Sequence, residues 1–386
     1  MQTKTRYLMG TTCAGLFTFG IMTSFLGATL PEWSTRLSFD LARSGTLFSF
    51  LYLPQIPMVF LAGPLIDRFG KKPILVAGFF CAAAALGGMA HAPSYSILGA
   101  LLVVLGLGGS AAMSAANTLI PDLYPENPSS ALNLGNIFFG VGAIFFPWVV
   151  ILLTARLGLQ ATLWLIALLV ASVAAIGLVQ TFPPARTVGS FDWSVARRLA
   201  FDRTLILLAI VLFFYSALEV SSAGWIRTFF EKEYQTSTHA SKVILTSFWV
   251  ALMIGRLAAS QIVKKIPGPK LVLGASVGAI VGLALTALVP SAPVAIAGII
   301  LCGLSYAPIF PTTAGTASTH FPHIFGTAFG MIMAFALLSG AVVPSAVGYV
   351  AQHSSIRIGL GLLMAIAILL LLTQAIFIRH EQRHPS

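Results

Sequence analysis

Twelve apolar runs, each long enough to cross a lipid bilayer, dominate the sequence. A transmembrane helix needs about 20 consecutive apolar residues, and the runs lie at residues 7–30, 43–65, 73–92, 95–118, 132–154, 160–181, 204–230, 241–262, 270–289, 293–313, 325–350 and 356–379. Only 9% of the residues are charged and 57% are hydrophobic, whereas a soluble chain needs far more charge to cover its surface. The pattern predicts an all-α membrane protein with twelve transmembrane helices.

The 22 Lys and Arg residues lie mostly between the apolar runs, where they indicate topology. With the N-terminus placed inside, fourteen of them fall on the inner side and seven on the outer side, and Arg256 is left within a span. This bias predicts a multi-pass protein of the cell (inner) membrane with both termini in the cytoplasm. It also accounts for the net charge of +11 without a nucleic-acid partner.

The longest stretch outside the apolar runs, residues 182–203, divides the chain into two halves. We expect an N-terminal six-helix half at 1–181, a cytoplasmic linker at 182–203, and a C-terminal six-helix half with a short cytoplasmic tail at 204–386. The loop after the second run reads LIDRFGKKPILVAG, and the loop after the eighth reads QIVKKIPGPKLVLGA. Weak symmetry of this kind is typical of parallel-repeat transporters, whose substrate site lies between the halves near the bilayer midplane.

The segment GPLIDRFGKK at residues 63–72 resembles the loop signature of the major facilitator superfamily, G-x-L-x-D-R-x-G-R/K-R/K. Other segments resemble the fucose–galactose–glucose symporter branch, typified by fucose permease: ALNLGN at 131–136, FGVGA at 139–143, LEVS at 218–221, FW at 248–249, GRL at 255–257, APIFPT at 307–312 and GTAFG at 326–330. The resemblance covers essentially the whole chain. It implies the major facilitator fold, with two pseudo-symmetric six-helix halves, alternating access between them, and a sugar-like substrate.

The sequence departs from that branch at two positions that matter for coupling. Where the branch has acidic residues tied to proton coupling, late in span 1 and in span 4, this sequence has Gly27 and Met113. Neither side chain can carry a proton, so coupling at these positions does not carry over.

Glu219 is the only acidic residue placed well inside a predicted span. A carboxylate in the membrane interior is costly and usually faces a cavity that serves transport. Burial disfavours the charged form, so Glu219 is the candidate for proton coupling. The alternative is a neutral, hydrogen-bonded glutamic acid that only stabilises span 7.

Three further charged residues are candidates for gating. Arg256, near the inner end of span 8, corresponds by resemblance to a gating residue, and direct contact with substrate is the alternative. Asp67 and Arg68 belong to the superfamily loop, where the Asp67 carboxylate is expected to accept from the N-terminal end of span 11 near Gly326, as a latch. The alternative is an ordinary charged turn.

In the second half, the corresponding loop after span 8 has Lys264 and Lys265 where the first half has the acid Asp67. Asp122 and Glu126 are the candidate partners for them, because loop 4–5 is the inner loop that has acids and no Lys or Arg.

Polar and aromatic residues within the spans form the expected substrate-binding surface. They are Thr23, Ser24, Tyr52, Gln55, Ser114, Asn117, Asn133, Asn136, Tyr215, Trp249 and Tyr306. Sugars need amide and hydroxyl partners together with an aromatic face, and Asn136 falls where the branch has a sugar-contacting Gln. The alternative for each residue is a hydrogen bond between helices.

Enzymatic readings find no support in the sequence. All seven His lie in loops, tails or span ends, no Walker A loop is present, and His320 and His323 form a poor metal pair because Pro322 breaks the helix between them. We therefore expect no enzyme activity, cofactor, metal or disulfide.

The sequence predicts a secondary transporter of a small polyhydroxylated solute, either coupled to protons through Glu219 or uncoupled. One alternative is an exporter of a small amphipathic compound or organic anion. An alternative from another class is a lipid scramblase or membrane sensor. The expected partners are the substrate, protons and membrane lipid, and the expected state is a monomer.

Overall fold

The computed structural model is helical throughout the part of the chain it describes, residues 2–124, 128–183, 197, 199–263, 265–321 and 325–383. Eleven helices are long and apolar enough to cross a membrane, and a shorter apolar helix, Ile137–Val150, brings the number to twelve. The prediction of a twelve-span helical membrane protein is confirmed. Helices are the expected outcome, because each backbone N–H and C=O within lipid must find a partner in its own segment.

Thirteen helices are numbered here in chain order over the described residues. They are α1 Gln2–Leu37, α2 Leu41–Tyr52, α3 Gln55–Phe69, α4 Lys71–Met89, α5 Tyr95–Leu123, α6 Pro128–Val179, α7 Arg203–Glu233, α8 Thr238–Ile262, α9 Gly268–Leu288, α10 Ala292–Tyr306, α11 Ile309–His320, α12 Phe325–His353 and α13 Ile356–Arg383.

Helices and predicted spans differ in three places. Span 2 consists of α2 and α3, which are separated at Pro54, and span 10 consists of α10 and α11, which are separated at Pro308. Proline lacks the N–H that would continue the helix. Spans 5 and 6 run together as α6, which changes direction at Gly158, where φ is 79° and ψ is 165°.

The chain divides into two compact units, Met1–Phe39 with Phe50–Phe191, and Asp40–Ser49 with Asp192–Ser386. The beginning of α2 belongs to the second unit through its contacts with α12: Ser49 Oγ lies 2.8 Å from Ser345 Oγ and donates to the carbonyl oxygen of Ala341 at 2.6 Å. The predicted boundaries at 181 and 203 stay a prediction, since residues 184–196 lie outside the described part.

Each unit has its own helix packing. In the first unit α1 packs on α6, and α4 packs on α5 and α6. In the second unit α7 packs on α12 and α13, α9 on α10 and α13, and α8 on α10.

Backbone geometry supports the internal repeat. Among the described residues, two non-glycine residues have positive φ, Ser38 at 51° and Gln235 at 52°. They occupy corresponding positions, in the connections between spans 1 and 2 and between spans 7 and 8. Two residues later in each half, the side chain of Asp40 or Ser237 accepts a hydrogen bond from a backbone N–H of the following helix. The same connection is therefore built twice.

The sequence offset that separates Ser38 from Gln235 also relates two close contacts between helices. Gly106 of α5 lies against the backbone carbonyl of Leu51, and Gly303 of α10 lies against that of Phe248. A Cβ atom at either glycine would overlap the carbonyl oxygen, so only glycine allows this approach. Spans 2 and 4 thus meet in the first unit as spans 8 and 10 meet in the second.

Candidate transport site

An ion pair between two spans lies at the centre of the candidate site. Glu219 Oε1 on α7 is 3.8 Å from Arg256 Nη2 on α8, and the two side chains are 19% and 23% exposed. The distance is too long for a direct hydrogen bond. Both groups therefore keep hydrogen-bonding capacity for a water molecule or a ligand while their charges compensate each other.

Buried donors without a hydrogen-bond partner lie on the same two helices as this pair. They are the hydroxyl of Tyr215, one turn before Glu219 on α7, and, on α8, Trp249 Nε1 and Arg256 Nε. Tyr215 is close enough to interact electrostatically with both charged groups. Buried polar groups are rarely left unpaired in folded proteins, so this group of donors indicates a place where water or a ligand with acceptor atoms binds.

Span 10 contributes further side chains to the site in the second unit. Tyr306 is fully buried at the end of α10, and its hydroxyl lies 3.3 Å from Ser222 Oγ of α7. The ring of Phe310, which follows the break at Pro308, lies 6.2 Å from the ring of Tyr215. Spans 7, 8 and 10 therefore bring together Tyr215, Glu219 and Arg256 with two aromatic side chains.

Tyr52 and Gln55 lie in the corresponding region of the first unit. Both are buried and line a small cavity together with Phe19, Met22, Thr23, Leu51, Leu105 and Gly106. Gln55 Nε2 donates to the Leu51 carbonyl oxygen at 3.0 Å, which satisfies a backbone group next to the break at Pro54. Spans 1, 2 and 4 form this cavity, and they are the sequence counterparts of spans 7, 8 and 10.

Some of the predicted binding residues are outside both clusters. Asn117 is half-buried on α5 and is not among the residues that line the small cavity. Asn133 and Asn136 lie in α6, but their side chains are outside the described part of the chain. Their proposed contacts with substrate stay predictions.

The structure describes part of the superfamily loop at residues 63–72. Arg68 is exposed and its guanidinium carbon lies 5.1 Å from the ring centroid of Phe69. The side chain of Asp67 is outside the described residues, so the latch stays a prediction. Gly70, with φ of 85°, separates α3 from α4 in a conformation that residues other than glycine rarely adopt.

Loop 4–5 contributes to the first unit in a way that the sequence did not predict. Asp122 forms an ion pair with Lys71, at the start of α4, and both side chains are largely buried. The expected partner of Asp122 was the lysine pair of the other half. Lys264 and Glu126 lie outside the described residues. The residues of the new pair are 51 positions apart, so helical spacing could not have revealed it.

Arg256 was expected to be the sole basic residue within a span, and this is wrong. Arg227 was counted among the outer charges although the predicted span 204–230 contains it, and in the structure it is 2% exposed within α7. Its Nε donates to Glu231 Oε1 at 2.8 Å, one turn further along the helix. The i, i+4 spacing of opposite charges was the signal available in the sequence.

A model of the Major Facilitator Superfamily matches residues 12–344 and 209–386. The chain belongs to the major facilitator superfamily. This confirms the resemblance recognised in the loop at residues 63–72.

Curated relatives are distant. The TsgA homologue of Buchnera aphidicola subsp. Schizaphis graminum is 23% identical over 64% of this chain, and the chain spans about 63% of that relative's length. The 4-hydroxybenzoate transporter PcaK of Pseudomonas aeruginosa is 32% identical over 30% of this chain and 26% of its own.

Solved structures match the fold over nearly the whole chain. The nucleoside transporter NupG has a TM-score of 0.77 at 18% identity, covering 96% of this chain and 98% of its own. The D-xylose-proton symporter has a TM-score of 0.79 at 15% identity, covering 95% and 96%. A variant of the Escherichia coli fucose:proton symporter FucP has a TM-score of 0.67 at 16% identity, covering 95% and 98%.

Proposed function

We propose that this transporter moves a small polyhydroxylated solute across the cell (inner) membrane by alternating access, coupled to protons at Glu219. The observation that carries the proposal is the ion pair of Glu219 and Arg256, separated by 3.8 Å, on two helices that also hold buried donors without a partner. Hydroxyl groups of a solute would accept from these donors. The rings of Tyr215, Trp249 and Tyr306 would provide the apolar face against which a sugar ring packs.

The ion pair suggests how a proton and the substrate are coupled. When Glu219 is ionised, its carboxylate compensates the charge of Arg256. When Glu219 takes up a proton, that compensation is lost, and the guanidinium is then free to bind acceptor atoms of the solute. Substrate binding would therefore favour the protonated state of Glu219, and release of the substrate would favour loss of the proton.

The solved relatives support this choice of substrate class. They transport a nucleoside, D-xylose and fucose, all of which carry several hydroxyl groups, and two of the three are described as proton symporters. At identities of 15–18%, the TM-scores of 0.67–0.79 show the shared fold alone. The substrate itself is inferred from the chemistry of the site.

Transport of an organic anion is the second candidate. Arg256 keeps an unpaired Nε–H in a buried position, and guanidinium is the group best suited to bind a carboxylate in two-point contact. The likeness to the 4-hydroxybenzoate transporter, although it covers 30% of the chain, points to the same class. In this case the carboxylate of the substrate would replace that of Glu219.

A binding screen separates the two candidates. Purified protein is heated with xylose, fucose or uridine in one series and with 4-hydroxybenzoate in another, because a ligand that binds the folded state raises the unfolding temperature. We expect stabilisation by the hydroxylated series. The stabilising compound is then tested on Trp249→Phe, which removes one donor and keeps an aromatic ring, and on Trp148→Phe, at an exposed position outside the site.

The sugar proposal requires that the shift decrease in Trp249→Phe and stay unchanged in Trp148→Phe. Stabilisation by 4-hydroxybenzoate alone would replace it by the anion proposal. Stabilisation that is insensitive to Trp249→Phe and to Arg256→Gln would place the substrate elsewhere in the molecule.

A further inference from the structure

An open groove lies in the second unit between the end of α9, the end of α12 and the beginning of α13. Its volume is about 440 Å³, and its walls include Leu288, Val350, Ile358 and Leu362. This volume falls within the range of ligand pockets in proteins, about 300–1,000 Å³. Among the described residues that line the groove, Arg357 is the charged one. The groove therefore suits a hydrocarbon chain whose polar end lies beside Arg357.

The groove is placed at the level of the membrane interface. The helices α9 and α12 end beside it, and α13 begins beside it. Tyr349, near the end of α12, is exposed, and tyrosine is enriched where transmembrane helices meet the polar edge of the bilayer. Leu288 and Ile358 in the walls of the groove are also exposed. Exposed apolar side chains of spanning helices contact lipid, so lipid is the surrounding from which an occupant would come.

Gly361 keeps the groove open. A Cβ atom at this position would have no heavy atom within 4 Å. At the sequence offset of the repeat, Gly361 corresponds to Trp164 in the first unit. The Trp164 indole Nε1 donates to Nε2 of His91, the counterpart of Leu288, at 3.0 Å, and a Cβ atom at Gly87 of α4 would lie 3.0 Å from the same ring. The first unit thus fills with an indole the space that the second unit leaves open.

Arg357 has an N–H group to spare at the rim of the groove. Its Nε donates to Glu233 Oε1 at 2.8 Å, and its Nη2 donates to the Tyr234 hydroxyl at 3.2 Å. Its Nη1 donates to the carbonyl oxygens of Ala287 and Val289 at 3.1 and 3.4 Å. A guanidinium has five N–H groups, and at most four of them have partners among the described residues. One N–H on Nη2 is therefore available to an acceptor atom of a ligand.

Glu233 adds a negative charge with an available oxygen. Its Oε1 accepts from Arg357, whereas its Oε2 accepts no hydrogen bond from the residues that the structure describes. The side chain is 27% exposed. The rim of the groove thus offers a positively charged donor next to a negatively charged acceptor. This pattern is complementary to a headgroup that carries both an anion and a cation with N–H groups.

The first unit does not repeat this pair of charges. Arg36 occupies the position that corresponds to Glu233, and its guanidinium donates to the carbonyl oxygen of Ala90 at 3.3 Å. Gln160 occupies the position of Arg357. The open groove and the opposite charges at its rim therefore occur together in the second unit, and the corresponding place in the first unit has neither.

We propose that this groove binds one molecule of phosphatidylethanolamine, with an acyl chain between α9, α12 and α13. The phosphate accepts from Arg357 Nη2, and the ammonium group, which has three N–H donors, donates to Glu233 Oε2. Phosphatidylglycerol has no cation for Glu233, and the ammonium of phosphatidylcholine has no N–H to donate. The lipid comes from the leaflet on the side where α9 ends, which is the outer leaflet in the predicted orientation.

Native mass spectrometry of the full-length protein tests the site without knowledge of the transported substrate. The protein is stripped of lipid in detergent and mixed with phosphatidylethanolamine, phosphatidylglycerol or phosphatidylcholine of identical acyl chains at equal concentration. We expect the complex with one phosphatidylethanolamine molecule to exceed the other two complexes by about threefold, which is the effect of one exposed ion pair. Equal binding of the three lipids would overturn the proposal.

Gly361→Trp tests the groove itself, because it introduces the side chain that the first unit has at this position. It should abolish the preferred complex. Gly274→Trp is the matched control, since Gly274 of α9 also has no heavy atom within 4 Å of an added Cβ but does not line the groove. The unfolding temperature without lipid shows that each variant is folded. A complex that survives in Gly361→Trp, or that is lost equally in Gly274→Trp, contradicts the proposal.

Glu233→Gln tests the headgroup separately. Glutamine keeps an oxygen that accepts from Arg357 Nε but has no charge, so the preference for phosphatidylethanolamine over phosphatidylglycerol should disappear while one lipid still binds. Glu381→Gln makes the same change in the last turn of α13, far from the groove at its first turns, and should leave the preference unchanged. A preference that persists in Glu233→Gln or vanishes in Glu381→Gln overturns the assignment. So does a protein dimer in the same spectra that disappears in Gly361→Trp, because the groove would then hold a second copy of the chain.

Discussion

Met22 and Glu219 occupy corresponding positions in the two halves, at the same sequence offset that relates Tyr52 to Trp249. Met22 lines the small cavity between spans 1, 2 and 4, and Glu219 pairs with Arg256 between spans 7 and 8. The repeat has therefore kept its aromatic position in both halves, but among the described residues only the second of these two clusters has a carboxyl group. This asymmetry supports the proposal that the coupling proton is carried by the C-terminal half.

Replacement of Glu219 by glutamine should abolish accumulation driven by a pH gradient while exchange of labelled substrate stays measurable. Glutamine keeps the shape and the hydrogen-bonding capacity of the side chain but cannot release a proton. The measurement is uptake into proteoliposomes with and without an imposed pH gradient. If accumulation persists in Glu219→Gln, the proton travels by another route and Glu219 is a structural or substrate-binding residue.

Asp40→Asn provides the control for this prediction. It makes the same chemical change at the start of α2, where Asp40 accepts from the Arg43 N–H at 2.8 Å. Asparagine is as good an N-terminal helix cap as aspartate. Accumulation should therefore be unchanged in Asp40→Asn, and a loss there would mean that an acid-to-amide change impairs the protein in general.

The sequence predicts the spans of this protein and its important charged residues far better than it predicts which side chains pair with one another. Glu219 and Arg256 are each recognisable from sequence, because a charge within an apolar run is expensive. Their proximity is not, since α7 and α8 can pack in several rotational settings that differ only in side-chain fit. The pair of Lys71 and Asp122 was missed for the same reason.

The two divided spans illustrate a second limit. Pro54 and Pro308 are visible in the sequence, but proline is tolerated within transmembrane helices when neighbours satisfy the freed backbone groups. Whether a proline kinks or ends a helix depends on those neighbours. The bond from Gln55 Nε2 to the Leu51 carbonyl oxygen, close to Pro54, is a local contact that only the structure identifies.

The glycine where spans 2 and 4 cross, and the glycine where spans 8 and 10 cross, should each be essential for stability. Gly106→Ala and Gly303→Ala each place a methyl group against a backbone carbonyl that cannot move without shifting a helix. We expect each to cost about 1–3 kcal/mol of stability, measured as a lower unfolding temperature in detergent. Gly274→Ala, in α9 with no heavy atom within 4 Å of the added Cβ, should leave stability unchanged or raise it.

Arg357 should not be replaceable by lysine. Its Nε donates to Glu233 Oε1 at 2.8 Å, Nη1 to the Ala287 carbonyl oxygen at 3.1 Å, and Nη2 to the Tyr234 hydroxyl at 3.2 Å. A single ammonium cannot reach three partners in this fixed geometry. Arg357→Lys should therefore lower stability by about 1–3 kcal/mol, whereas Arg379→Lys at an exposed position of α13 should have no effect.

Asp67→Asn tests the predicted latch. Removal of a carboxylate from the positive end of span 11 should weaken the closed inner side by about 0.3–2 kcal/mol. We expect slower transport with unchanged substrate affinity, because the substitution alters the balance of conformations and leaves the transport site intact. Steady-state uptake and equilibrium binding measured on the same preparation separate the two effects. Unchanged uptake would show that Asp67 is only a charged residue at a turn.

Both termini should lie in the cytoplasm, because fourteen of the Lys and Arg residues fall on that side, against six on the other once the buried Arg227 is left out. A chain that crosses the membrane twelve times has both termini on the same side. Fusion of alkaline phosphatase, which is active only outside the cytoplasm, to the C-terminus should give no activity. The same reporter inserted between Leu288 and Ala292, in the connection between spans 9 and 10, should be active. Activity at the C-terminus with none at the second site would reverse the orientation.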